Sequence, residues 1–145
     1  EQRFQYIFSK KNRYPGAPSV KSKVVANKPF LIDELQVIPI EVMHGNLPVT
    51  AYRIQDFAYL TDVKSISEIE KNKLKNLEVL VVNALRINEH PTHFNLNEAL
   101  KFVEEIKPKK TYFTHISHKL GFHNEVSKIL PDNVYLAFDG LKIVV

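Results

Sequence analysis

Six histidines are the residues of this chain best suited to chemistry, and five of them fall between His90 and His123. The polar candidates share one kind of place, just beyond a run that reads as a β-strand. His44 follows Ile40-Glu41-Val42, Asp62 follows Phe57-Ala58-Tyr59-Leu60, and His115 follows Tyr112-Phe113-Thr114. Asn83 and the loop holding His90 and His93 follow Val79 to Val82. In open α/β sheets, ligands bind outside the carboxyl ends of the strands. Three imidazoles and a carboxylate at that edge have the donor chemistry for zinc, manganese or iron. Taken singly, each residue has an ordinary structural reading. His44 beside Gly45 reads as a loop residue, and Asp62 before Ser65 as the cap of a coming helix. His93 before Phe94 reads as a partly buried ring with one satisfied nitrogen, and His118 and His123 as surface residues. Taken together at strand ends, the metal reading is favoured. The sequence contains no His-x-His and no His-Glu-x-x-His. The ligands therefore come one at a time from distant segments, and only the topology can assemble them.

The composition narrows the class. A chain of 145 residues, 44% hydrophobic and 25% charged, is one domain's worth, and its apolar residues are too plentiful and evenly spread for disorder. With no Cys, a disulfide scaffold, a thiol nucleophile and a thiolate metal site are all excluded. No apolar run approaches the ~20 residues of a membrane span, so the expectation is a soluble, cytoplasmic protein without a membrane partner. Seven cations against Glu1 give residues 1–28 a charge of +6, and the net +4 of the chain leaves −2 for the remainder. Phe4, Tyr6, Phe8 and Tyr14 are interleaved with those cations. Such a segment can track phosphates and stack on bases, but a solvated connector over residues 1–29 is the favoured reading. The sequence opens at Glu1, in mid-pattern and without Met, which leads us to expect a piece of a longer protein.

Elements must position the candidates. Phe30-Leu31-Ile32 leads through Asp33-Glu34 into Leu35 to Val42, which alternates with period two as a half-buried strand does. Val49 to Gln55 and Phe57 to Leu60 read as two more strands turning near Gln55-Asp56. Ser67 and Glu70 have capping-box spacing and open a helix to about Asn76. Leu77 to Val82 is apolar enough for a buried parallel strand. Asn95 with Glu98 starts a second helix, with Leu96, Leu100 and Val103 on one stripe, ending before Pro108. Thr111 to Thr114 is the next strand, and a shorter helix lies around Asn124 to Leu130. Val134 to Phe138 and Leu141 to Val145, separated by Asp139-Gly140, read as a closing hairpin. Antiparallel strands followed by alternating helices and strands make an α/β domain with a mixed sheet over residues 30–145.

These residues carry a resemblance. The segments Val37 to Gly45, Phe57 to Asp62, His90 to Leu100, Thr114 to His118 and Ala137 to Leu141 resemble, in order, the metallo-β-lactamase superfamily in its PhnP-like and RNase Z-like phosphodiesterase branch. The resemblance implies the C-terminal half of an αββα sandwich, a mixed sheet with flanking helices. It implies a metal-dependent hydrolase using two divalent ions, zinc or manganese, on a small phosphodiester or nucleotide substrate. His44 resembles an isolated metal-binding His, Asp62 the carboxylate bridging two metals, and His115 the last His, on the second metal. His93 resembles a His that protonates the leaving oxygen without binding metal. His118 is assigned only a hydrogen bond to a ligand. The superfamily's His-x-His-x-Asp-His, which supplies most of the ligands, does not occur in this sequence. The chain alone is therefore expected to be inactive or weakly metal-binding, and an exposed sheet face to favour homo-oligomers or strand swapping. The alternative is a non-catalytic nucleic-acid-binding or assembly module.

Overall fold

The computed structural model describes residues 5–8, 15–16, 18 and 20–144. Arg3, Lys10, Lys11 and Arg13 of the basic segment, with Phe4 and Tyr14, lie outside them, as does Val145. Before the sheet comes a four-residue helix, α1 (Gln5–Phe8).

Period-two alternation in the first half produces an antiparallel ribbon of four strands. These are β1 (Phe30–Ile32), β2 (Leu35–His44), β3 (Leu47–Ile54) and β4 (Phe57–Leu60). Three further strands, β5 (Val79–Asn83), β6 (Lys110–Thr114) and β7 (Val134–Leu136), follow β4 in parallel. The sheet has seven strands in sequence order. Each parallel step returns through helical structure: α2 (Glu68–Lys71) with a 3₁₀ turn (Asn72–Leu74), α3 (Leu96–Ile106) and α4 (His123–Val126). Crossovers of one hand between successive neighbours put all these connections on one face. That face holds the core, in which Ile40, Val42, Ala51, Leu60, Leu80, Val82 and Phe113 meet Leu74, Leu96, Ala99, Phe102 and Val126. Across the other face the register aligns Tyr52, Tyr59, Val81, Tyr112 and Tyr135 in one row. Tyr112 and Tyr135 stack at 5.4 Å, while Tyr52, Tyr59 and Tyr135 remain exposed.

β1 covers only the first residues of β2, and side chains complete the rest of that edge. Glu41 N donates to Glu70 Oε2 (2.9 Å), and Lys73 Nζ donates to Pro39 O (2.8 Å). Met43 N donates to Ser65 O and Met43 O accepts from Ser65 N and Lys64 N. Pro39 brings no N–H to this edge, the sheet position in which proline is tolerated. Burial alone would raise the Glu70 carboxyl, but Lys73, the Glu41 amide and Asn27 together hold it below its ordinary range.

The structure departs from the sequence reading in several places, among them α4, which stops at Val126 and not near Leu130. β2 runs through His44, so His44 ends the strand rather than following it. The helix after Ser67 stops at Lys71: Ser67 Oγ accepts from Glu70 N, but the Glu70 carboxylate turns to Glu41 and Lys73 instead of closing the box. A 3₁₀ turn then drops Leu74 into the core. The stripe of α3 is Leu96, Ala99 and Phe102, with Leu100 and Val103 at its margin. Among the described residues the closing hairpin does not form. After β7 a turn at Asp139-Gly140 sends Lys142–Val144 back across the sheet, where they share a cavity with Val79, Lys109, Lys110 and Tyr112 instead of pairing with β7. The complete capping box of Asn95 and Glu98 is present as read.

Candidate metal centre

The topology brings four of the five singled-out residues to one edge. His44 arrives on the long β2, Asp62 stands two residues past β4, His115 one residue past β6, and His93 in the loop after β5. Asp62 and His115 hold left-handed backbone, with φ of 56° and 55°. A non-glycine residue is uncommon there and such strain gathers at functional sites. In this protein it turns the chain out of two strands and places both side chains on the same side of the sheet edge.

His93 lies at the middle. Its Nε2 is 3.0 Å from Asp62 Oδ1, and His115 Nε2 is 3.5 Å from the same oxygen. The His93 ring meets His44 edge-on at 4.5 Å, stacks with His115 at 4.8 Å and tilts against His90 at 5.0 Å. His93 is buried, whereas Asp62 and His44 are half-buried and His115 is exposed. Donor atoms of His44, Asp62 and His93 all lie within 4.8 Å of one another, a group that could hold a metal ion. Sequence reasoning placed His93 outside the ligand set, but the geometry puts it inside the cluster. His118 is exposed and makes no hydrogen bond, ion pair or ring contact among the described residues.

Thr92, which the sequence reading passed over, organises the histidines. Its hydroxyl is 2.9 Å from His93 Nδ1, and its backbone N–H donates to His90 Nδ1 (3.3 Å). A consistent assignment has Thr92 O–H donating to His93 Nδ1 and His93 Nε2–H donating to Asp62. The Thr92 methyl in turn abuts Gly45 of the β2–β3 turn. Gly45 has φ +63°, and a Cβ there would stand 3.0 Å from Thr92 Cγ2. The available signal was a hydroxyl residue lying between two histidines three positions apart.

Burial pushes His93 below the ordinary histidine range; the Asp62 hydrogen bond opposes this, and His115 and His44 reinforce it. Burial also lowers His90, helped by Arg86. Neutral imidazole is the form that binds metal, so the electrostatics and the donor set both fit a divalent cation. Beside His115 a cavity of about 240 Å³ opens between Ile116, Phe138 and Asp139.

The family model for the beta-lactamase superfamily domain matches residues 1–116. The chain belongs to that superfamily. A diphosphatase of the PhnP family has a crystal structure that matches with a TM-score of 0.89 at 36% identity, over 99% of this chain and 53% of its own. A protein from Porphyromonas gingivalis (strain ATCC BAA-308 / W83) named octanoyltransferase is 37% identical over 145 residues, 99% of this chain and 29% of its length. YhfI from Bacillus subtilis, a metallo-β-lactamase fold protein, matches with a TM-score of 0.70 at 18% identity, covering 97% of this chain and 59% of its own. It shares the fold. The chain thus spans about half of the diphosphatase and less than a third of the octanoyltransferase. Its mixed seven-stranded sheet is a metallo-β-lactamase-like α/β fold, and membership implies divalent metals at the edge where His44, Asp62 and His93 meet. Among the described residues, no helix is long and apolar enough to cross a membrane.

Proposed function

We propose that this chain supplies one side of the dinuclear metal centre of a phosphoester hydrolase acting on a small phosphodiester, diphosphate or nucleotide. The observation that carries the reading is one carboxylate oxygen, Asp62 Oδ1, facing two imidazoles from different strand ends, with His44 in the same cluster. The similarity to the PhnP-family diphosphatase supports it, because that match extends over nearly all of this chain.

Divalent ions, when bound, supply charge that stabilises the attacking and leaving oxygens of an in-line displacement. The residues have separable tasks. His44, Asp62 and His115 would hold the cations. His93 is buried among them with Nε2 facing Asp62; as the imidazolium it would hand the Nε2 proton to a leaving oxygen and be left as neutral imidazole. A group so placed contributes ~10²–10⁴ in rate. Four side chains are fewer than two ions require, so the remaining ligands come from outside these 145 residues. The chain alone is then inactive or binds metal weakly. The exposed tyrosine face supports self-association, which sedimentation of the isolated chain measures.

Metal analysis with a hydrolysis assay on phosphodiester and diphosphate substrates tests the proposal, using the longest natural form containing these residues alongside this chain. The expected result is metal-dependent hydrolysis by the longer form that is lost in His115→Ala. Metal-independent hydrolysis, or full activity of the 145-residue chain at stoichiometric metal, overturns it.

A further inference from the structure

The loops that carry the site are held from one place, the end of β5. Asn83, its last residue, is 0% exposed and spends both halves of its amide on one backbone unit. Val63 N donates to Asn83 Oδ1 (2.7 Å), and Asn83 Nδ2 donates to Val63 O (3.1 Å). Val63 follows Asp62 directly. Its carbonyl also accepts from Phe94 N (2.8 Å), the residue after His93. Two residues beyond Asn83, Leu85 N donates to Phe94 O (3.0 Å), while Leu85 O accepts from both Ser117 N (2.9 Å) and Ser117 Oγ (2.8 Å). Ser117 stands two residues past His115. Ala84 N, between them, donates to Thr114 O (3.1 Å). Three consecutive residues therefore grip the three loops that present Asp62, His93 and His115.

Only an amide side chain satisfies this position. Val63 presents one donor and one acceptor, both buried, and asparagine answers each. Leucine of similar size leaves Val63 N without a partner and Val63 O with only its bond from Phe94 N, and an unpartnered donor is costly in the interior. Aspartate keeps the bond from Val63 N but sets a carboxylate oxygen against Val63 O. The clamp matters because Asp62 holds left-handed backbone that the surrounding structure must impose.

We propose that Asn83 is a positioning residue for the metal centre, its amide fixing Asp62 against His93 through Val63, and that Ser117 does the same for His115 through Leu85. The inference rests on the metal-centre reading above for its functional meaning, and on the hydrogen bonds alone for its geometry. Neither residue touches substrate or metal in this scheme.

The test compares Asn83→Leu, Asn83→Asp, Ser117→Ala and the core control Val82→Ala in the longest natural form containing these residues. Long-range ¹H–¹⁵N spectra of the histidine rings read the tautomer and hydrogen bonding of His93 and His115. Visible absorption reads Co(II) affinity, and thermal melts read stability. Asn83→Leu is expected to shift the His93 ring signals and weaken Co(II) binding by ~10–100-fold, the usual cost of losing a partner that orients a ligand. Asn83→Asp produces a smaller change in the same direction. Ser117→Ala shifts His115 and leaves His93 in place, and Val82→Ala lowers the melting temperature without moving either ring. The proposal is overturned if Asn83→Leu leaves the His93 signals and Co(II) affinity unchanged, or if Val82→Ala moves them equally. Should Asn83→Leu not fold, Asn83→Asp and Ser117→Ala decide, and unmoved rings in both refute the clamp. If the unsubstituted longer form takes up no Co(II), the metal reading loses its support, while the ring spectra still decide the positioning role.

Discussion

The parallel strands β4 to β7 use left-handed residues at both ends, to opposite purposes. At their amino ends Asn76, Lys107 and Asn133 adopt φ of 55–65° and turn the chain from a helical segment into β5, β6 and β7. All three are exposed. Lys107 is the left-handed cap that ends α3. Nearby charges such as Glu78 and Lys109 pair at the surface. At the carboxyl ends Asp62 and His115 adopt the same backbone, but their side chains converge on His93. Identical backbone strain thus ends a helix at one edge and aims a functional group at the other. A positive φ marks a site only where a reactive side chain and a packed partner accompany it.

Substitutions at the two ends should separate these uses. Asp62→Ala should have the largest effect: hydrolysis by the longer form is expected to fall more than about a thousandfold, because losing a ligand exceeds the ~10–100-fold cost of losing its partner. Metal content measured on the same samples should fall with it. His93→Ala comes next, with hydrolysis reduced about a hundredfold or more and metal content retained. Parallel loss of metal would instead make His93 a ligand, as its place within the cluster allows.

A smaller effect concerns pH. Burial lowers His93 and His90 in the folded state, so the unfolded chain takes up protons first as pH falls below about 6.5, the ordinary histidine value. Stability is fully retained above that value and declines below it, until the folded-state rings also protonate. Denaturant midpoints from pH 8 to 5 should show this decline, and His93→Gln should flatten it. Glu70 and Glu98 act lower: burial opposes their ionisation, but Lys73 and Lys64 with backbone amides hold them below 4.5. Their contribution is present above the unfolded value and lost as pH falls through the depressed folded values. The smallest effect is at the opposite edge. Lys107→Gly should raise stability by about 1 kcal/mol or less, since glycine adopts this conformation without the Cβ penalty. His115→Gly relieves the same strain and should abolish the function. Paired melts and assays distinguish the two.

Much of this arrangement was legible in the chain because it depends on local pattern. Alternation from Leu35 to Val42 required a strand with one buried face, and the Asn95–Glu98 spacing specified a helix start from two side chains. His44, Asp62 and His115 could be singled out because each sits at the end of an apolar run. What failed depended on long-range partners. Glu70 has capping-box spacing, yet the open edge of β2, 29 residues away in sequence, claims its carboxylate. The tail after Gly140 alternates well enough for a hairpin, but Val79 and Tyr112 offer it an apolar face. The central position of His93 and the clamp from Asn83 follow from register between strands, which composition and periodicity do not encode.

The closed edge of β2 has a further consequence. Sheets grow by adding strands to unpaired edges, the route by which folded proteins polymerise into fibrils. Here Pro39 presents no donor, Glu70 and Lys73 occupy the adjacent backbone groups, and Ser65 bridges Met43. The exposed segments at either margin, β1 and β7, are three residues each. An intruding strand finds almost no ladder to extend. Edge-to-edge templating of this chain is thereby disfavoured at both margins of the sheet.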